Sequence, residues 1–164
     1  MVDLPGEPSR IDIVGEYIEK SKGIRLLEIG INEGDVICEL RQRGMEIDYT
    51  GVDINIQNVR KFEGKVIGMD SRDFWKTLTE QDKWDVILID GDHGYSTVVI
   101  DMRESKKHIP VGGFILCHDV GHYPKMSNVD AGSAFCEVFL ADKCFSCSLY
   151  PGHTDGMAVA ERLK

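Results

Sequence analysis

Asp90, Gly91, Asp92 and His93 follow the apolar run WDVILI and precede a helix-like stretch, so two carboxylates and an imidazole fall within four positions. A second pair, His118–Asp119, follows the apolar run GGFILC. Carboxylates are hard oxygen donors for a divalent cation, and an imidazole titrates near neutral pH. The two clusters together therefore have the means to hold a metal ion and to move a proton. Each also has a plainer use. Asp92 or His93 can cap the helix that begins near Ser96, and His118 can donate a hydrogen bond to Asp119 or to a loop carbonyl.

The elements that must position these groups are legible as an alternation of short apolar runs and amphipathic stretches. Helix-like spacing runs from Ser9, a capping residue, to Lys20, then over Asp35 to Arg43, where Gly44 stops it. Further helices are predicted around Asp73 to Thr79, over Ser96 to His108 before Pro110 and Gly112–Gly113, and over Val129 to Ala141. Strands are predicted at Ile24 to Ile29, Tyr49 to Asp53, Lys65 to Met69, Trp84 to Ile89 and Phe114 to Cys117. Two last strands, Phe145 to Tyr150 and Met157 to Glu161, flank the turn-rich PGHTDG. Repeated strand–helix alternation with near-continuously apolar strands predicts an α/β fold. It is a doubly wound, mostly parallel sheet covered on both faces, which binds ligands at the carboxyl ends of its strands.

The 164 residues fit one domain, residues 1–164, with the first eight as a loose tail. A hydrophobic fraction of 42% and a charged fraction of 29% are those of an ordinary globular chain. The net charge of −9 argues against nucleic-acid partners, since the chain has no excess of cations with which to displace counterions. No apolar run approaches the length of a membrane span, and the N-terminus lacks the pattern of a secretory signal. Five cysteines, an odd number at wide spacing, predict reduced thiols and a cytoplasmic setting. Cys38 and Cys117 lie in apolar runs and read as core. A zinc site from Cys136, Cys144, Cys147 and His153 would need irregular spacing, with the two CFSC cysteines on opposite strand faces.

A polar or acidic group stands at the carboxyl end of every predicted parallel strand: Glu28, Asp53, Asp70 with Ser71, Asp90 with Asp92 and His93, and His118 with Asp119. Singly, each reads as a helix cap or loop residue. Together they line the edge at which this architecture binds ligands. Gly30 and Gly34 after the first strand let a ligand approach the backbone closely. Their Gly-x-x-x-Gly spacing lacks the full pyrophosphate fingerprint. Asp53, roughly twenty residues beyond Gly30, is placed to accept ribose hydroxyls. Asp70 and Ser71 can meet an adenine edge. The pattern predicts an adenosine-containing cofactor without a pyrophosphate.

The segments LLEIGINEG, YTGVDIN, VIGMDS, DGDHGYSTVVIDM and GGFILCHDV make the chain similar to class I S-adenosylmethionine-dependent methyltransferases. It most resembles the small-molecule O-methyltransferase group of macrocin and catechol type, across about Ile24 to Glu161. The resemblance implies a Rossmann-like seven-stranded sheet ending in an antiparallel element, which the last two predicted strands match. It also implies S-adenosyl-L-methionine as cofactor. Glu28, Gly30, Ile31, Asn32 and Gly34 would lie along its methionine and ribose, Asp53 and Ile54 at the ribose, and Asp70 and Ser71 at the adenine, with Asp90 and Asp92 nearby. In metal-dependent members, acids after the fourth and fifth strands bind a divalent ion. The matching positions are Asp90 and Asp119, with His118 as a further ligand or base.

Methyl transfer from a sulfonium is an in-line displacement by a donor that is already activated, so positioning the acceptor and removing its proton is what is left to the protein. Mg2+ held by Asp90 and Asp119 would lower the pKa of an acceptor hydroxyl, and His93 is the predicted base. A direct His118 ligand would favour a softer ion. The acceptor is expected to be a small polar molecule. Tyr95, His122, Tyr123 and His153 are candidates for its pocket, which is covered by little more than one N-terminal helix unless a second subunit completes it. Two other functions compete: a cofactor-binding or scaffold protein with this fold but no acceptor chemistry, and a dehydrogenase. The incomplete glycine fingerprint and the terminal strand pair count against the dehydrogenase.

Overall fold

Along each central strand the side chains alternate between two separate hydrophobic cores, and that alternation organises the molecule. Leu26, Tyr49, Val86, Leu88, Phe114, Leu116, Met157 and Val159 face one core; Leu27, Ile29, Val52, Ile87, Ile89, Ile115, Cys117, Ala158 and Ala160 face the other. The computed structural model describes residues 8–60, 62–92, 94–122, 131–150 and 155–164.

The elements run α1 (Arg10–Ser21), β1 (Arg25–Ile29), α2 (Asp35–Gln42), β2 (Asp48–Asp53), β3 (Lys65–Gly68), α3 (Ser71–Lys76), β4 (Val86–Ile89), α4 (Tyr95–His108), β5 (Phe114–His118), a 3-10 turn (Val120–His122), α5 (Ala131–Phe135), a π-helical turn (Cys136–Leu140), β6 (Phe145–Tyr150) and β7 (Met157–Arg162). All seven strands join one sheet in the order β3-β2-β1-β4-β5-β7-β6. The first five are parallel, and β7 is antiparallel to both β5 and β6. Only β7 runs against the rest, so β6 ends at the same sheet edge as β1 to β5. Helices α1 and α2 cover one face and α3 to α5 the other. Among the described residues no helix is long and apolar enough to cross a membrane.

The expected elements all occur, with shifted ends. Ser9 caps α1 in a reciprocal box with Asp12. The third helix starts at Ser71 rather than Asp73 because the Asp70 carboxylate caps it through the Arg72 N–H. Strand β4 starts at Val86, with Trp84 buried just before it. The last predicted helix, described from Ala131, turns from α to π after Phe135.

A carboxyl group is sealed in the second core. The Asp101 carboxylate on α4 is 1% exposed and accepts the Trp75 indole N–H at 2.7 Å. Burial pushes its pKa up to about 6, against the pull of Trp75 and of the Ser71 hydroxyl. Trp75 stacks on His108, whose Nδ1 lies 2.8 Å from the Asp82 carbonyl. This chain of contacts ties α3 to α4. Replacing Trp75 by Phe strips a buried carboxylate of a donor. It should lower unfolding stability by about 2 kcal/mol in urea titration, and by less in an Asp101→Asn background, where no charge is left stranded.

Candidate functional site

The ends of β1 and β4 meet where the strand order reverses, and Gly30 is what lets them. Its φ is +90°, and a Cβ there would sit 2.3 Å from the Asp90 carbonyl oxygen and 2.4 Å from the Gly91 Cα. The Gly30 N–H donates to the Val52 carbonyl at 2.8 Å, and the Asp90 N–H donates to the Ile29 carbonyl at 2.8 Å. The glycine therefore admits protein backbone, where the sequence had suggested room for a ligand. Gly34 also differs from expectation. It does not line the cleft; it sits at φ +83° before α2, where its missing Cβ leaves room for the Phe62 ring.

Beside this junction lies a cleft of about 820 Å³. The other residues expected at the cofactor all line it: Glu28, Gly30, Ile31, Asn32, Asp53, Ile54, Asp70, Ser71, Asp90 and Asp92. His118 and Asp119 complete the lip. The sequence reading missed Arg10, Thr97, Met69 and Arg72, which also line the cleft. Only Arg10 carried a signal. It is a cation at the first position of α1, where the helix dipole favours an anion.

Several acids hold the protein's own backbone. Asp53 Oδ2 accepts the N–H groups of Ile31 at 2.9 Å and Asn32 at 3.0 Å, and Oδ1 accepts that of Asn55 at 2.8 Å. This leaves the carboxylate about one open acceptor position, where two ribose hydroxyls were expected to bind. Asp70, besides capping α3, receives Arg72 Nε at 2.9 Å and Nη2 at 2.5 Å, and its pKa falls to about 2. Asp92 accepts the Gly94 N–H at 2.9 Å in the turn before α4.

Glu28 is 1% exposed, and its Oε2 accepts the Tyr49 hydroxyl at 2.6 Å. Gly51, opposite Glu28 in the β1–β2 register, makes that reach possible, since a Cβ there would lie 2.6 Å from the Tyr49 hydroxyl oxygen. Burial pushes the Glu28 carboxyl up to about 8, against the pull of Tyr49. The Tyr49 phenol is itself pushed far up by burial and by Glu28.

At the lip, one nitrogen bridges two strands' acids. His118 Nδ1 lies 3.1 Å from Asp90 Oδ1 and 3.1 Å from Asp119 Oδ2. Burial opposes the imidazolium, but the two carboxylates outweigh it and raise the His118 pKa to about 9. Asp119 takes part from a left-handed backbone, φ +61°. Asp90 Oδ2 pairs with the Arg10 guanidinium. One ligand atom from each of Asp90, His118 and Asp119 falls within 4.8 Å of the others, the one such group among the described residues. A donor set of two carboxylate oxygens and one imidazole nitrogen fits a divalent ion.

The five cysteines are free, with Cys117 buried and Cys136 exposed. Tyr95 turns its hydroxyl to Glu137, away from the cleft. His93, Tyr123 and His153 lie outside the described residues, as does the His122 side chain.

A family profile described as a methyltransferase domain matches residues 27–120. No curated protein matches the chain by sequence. Among solved structures, a putative caffeoyl-CoA O-methyltransferase from Staphylococcus aureus superposes with a TM-score of 0.75 at 14% identity, over 99% of this chain and 85% of the other. An O-methyltransferase from Bacillus cereus in complex with S-adenosylhomocysteine gives 0.71 at 18% identity, over 96% and 82%. The MycE methyltransferase of the mycinamycin biosynthetic pathway, in complex with Mg and S-adenosylhomocysteine, gives 0.68 at 16% identity, over 92% of this chain and 48% of that one.

Glu28 generates a pH dependence of known sign. Its pKa rises from 4.5 in a free side chain to about 8 in the fold. Its contribution to stability is therefore complete below pH 4.5 and is lost as pH climbs through about 8. Glu28→Gln keeps an acceptor for Tyr49 without titrating. Relative to that variant, the native chain should lose on the order of a few kcal/mol between about pH 5 and about pH 8.5, read from urea midpoints.

Proposed function

The chain belongs to the methyltransferase-domain family, and we propose that it transfers a methyl group from S-adenosyl-L-methionine to an oxygen of a small polar acceptor. The observation that carries this reading is the gathering of the acidic strand ends on one cleft at the sheet's reversal point, with the Asp90–His118–Asp119 group on its lip. An acidic cleft suits a donor that carries a sulfonium and an ammonium.

In this reading the cofactor lies across the carboxyl ends of β1, β2 and β4. Its methionine end lies by Glu28, Gly30, Ile31 and Asn32. The ribose lies by Ile54, with one hydroxyl on the open acceptor position of Asp53. The adenine reaches Ser71 and the capping Asp70. The neutral Glu28–Tyr49 pair supports the floor without adding a charge. Asp90 and Asp92 border the methyl group's path towards the acceptor.

Asp90, Asp119 and His118 would hold a divalent ion, His118 releasing its proton on binding. Such an ion supplies Lewis acidity, which lowers the pKa of an acceptor hydroxyl. His93, two residues beyond Gly91, is the proposed base, and the alkoxide oxygen then attacks the methyl carbon in line with the departing sulfur. The five free thiols support a reducing, cytoplasmic setting. A second subunit is proposed to complete the acceptor pocket.

Calorimetric titration with S-adenosylhomocysteine, with and without Mg2+, tests the reading. Roughly micromolar affinity is expected. No binding in either condition would remove the donor and leave a scaffold with this fold. Asp119→Asn is the cleaner metal variant, because Asp90 also holds Arg10. It should abolish the heat of Mn2+ binding and keep S-adenosylhomocysteine affinity within about twofold.

A further inference from the structure

We propose that Arg10 is the residue that binds the α-carboxylate of the cofactor's amino-acid end; this rests on the reading above. A ligand ending in an amino-acid zwitterion brings one negative charge into a cleft whose lining includes the carboxylates of Asp35, Asp53, Asp70, Asp90, Asp92 and Asp119 beside the neutral Glu28. That carboxylate needs a cation. The described lining residues include two guanidiniums and one imidazole, Arg10, Arg72 and His118. Arg72 is spent on Asp70 through both Nε and Nη2, at the adenine end. His118 is held between Asp90 and Asp119 on the lip.

Arg10 stands at the right end and has donors to spare. It crosses from α1 to the β1–β4 junction, where Glu28, Gly30 and Asp90 lie, and its side chain is 30% exposed. Among the described residues only Nη1 is taken, by Asp90 Oδ2. Nε and Nη2 have no hydrogen-bond partner among the described residues, and a guanidinium can present such an edge to a carboxylate while keeping its first partner. Asp90 thereby serves two neighbours with separate oxygens: Oδ1 faces His118 and Oδ2 steadies the arginine. Placing a cation at the first position of a helix costs stability through the dipole, and the Asp90 pair offsets that cost in the empty cleft.

The test compares two thioethers on the full chain: S-adenosylhomocysteine, and the same molecule lacking its α-carboxylate. The native protein should bind the first about ten- to a hundredfold more tightly. In Arg10→Gln that preference should collapse to within about threefold, almost entirely by loss of affinity for the carboxylated ligand. Arg10→Lys should restore part of it. Retained binding of the decarboxylated ligand shows that the variant folds. If Arg10→Gln weakens both ligands equally, or leaves the preference intact, the assignment is overturned while the donor reading stands. If the native protein binds neither thioether, both fall.

Discussion

Everything at the functional edge depends on the close approach of two backbone ends, those of β1 and β4. Parallel strands that leave a sheet in opposite winding directions open a crevice between them. How far that crevice opens is set by what stands at its root. Here the root is Gly30 against Asp90–Gly91, at a separation that admits no side chain. Because Gly30 also bonds to Val52 on β2, the ends of three strands are held in one rigid junction. Asp53 extends it by gripping the N–H groups of Ile31 and Asn32. The loop over which a ligand would lie is thus fixed by covalent geometry and hydrogen bonds before any ligand arrives, which lowers the ordering cost of binding.

The second constraint is electrostatic. Many carboxyl groups share a small, partly dry space, and the protein handles each differently. Glu28 is kept neutral by burial, with a phenol as donor. Asp70 is neutralised by Arg72, Asp53 and Asp92 accept backbone amides, and Asp90 is shared between Arg10 and His118. Asp119 joins His118 from a left-handed backbone, a region that few side chains besides Asn and Asp adopt. The result is a graded cleft: compensated charge along the ends of β1, β2 and β3 and a concentrated acid–imidazole group at the lip.

The sheet and most of the site were readable in the sequence because their signals are local. Apolar runs marked the strands, and the architecture fixes which strand end faces the ligand, so the acids at those ends could be named in advance. The roles of Gly34 and Asp53 were less visible. Their partners, Phe62 and the Ile31–Asn32 amides, lie about twenty to thirty residues away and are brought close only by folding. Arg10 was missed for the same reason: its partner Asp90 is across the sheet junction, and its one local signal, a cation at a helix's first position, does not say what it faces. The buried Asp101 resembles any polar residue on a helix until Trp75 is packed against it.

The reversed strand has a consequence for how such a protein diversifies. Since β7 alone of the described strands runs backwards, the end of β6 at Tyr150 and the start of β7 at Met157 stand at the same edge as the cleft, Met157 paired with His118. The hairpin is anchored at both feet: Tyr150 bonds Tyr17 through their hydroxyls at 2.8 Å, and Gly156 lies against Gly121 too closely for any Cβ. Insertions or substitutions in the residues between these anchors would leave the β1–β4 junction untouched. Heritable change between the anchors can therefore accumulate while the β1–β4 junction is inherited intact, and the two halves of the sheet edge can follow separate evolutionary histories.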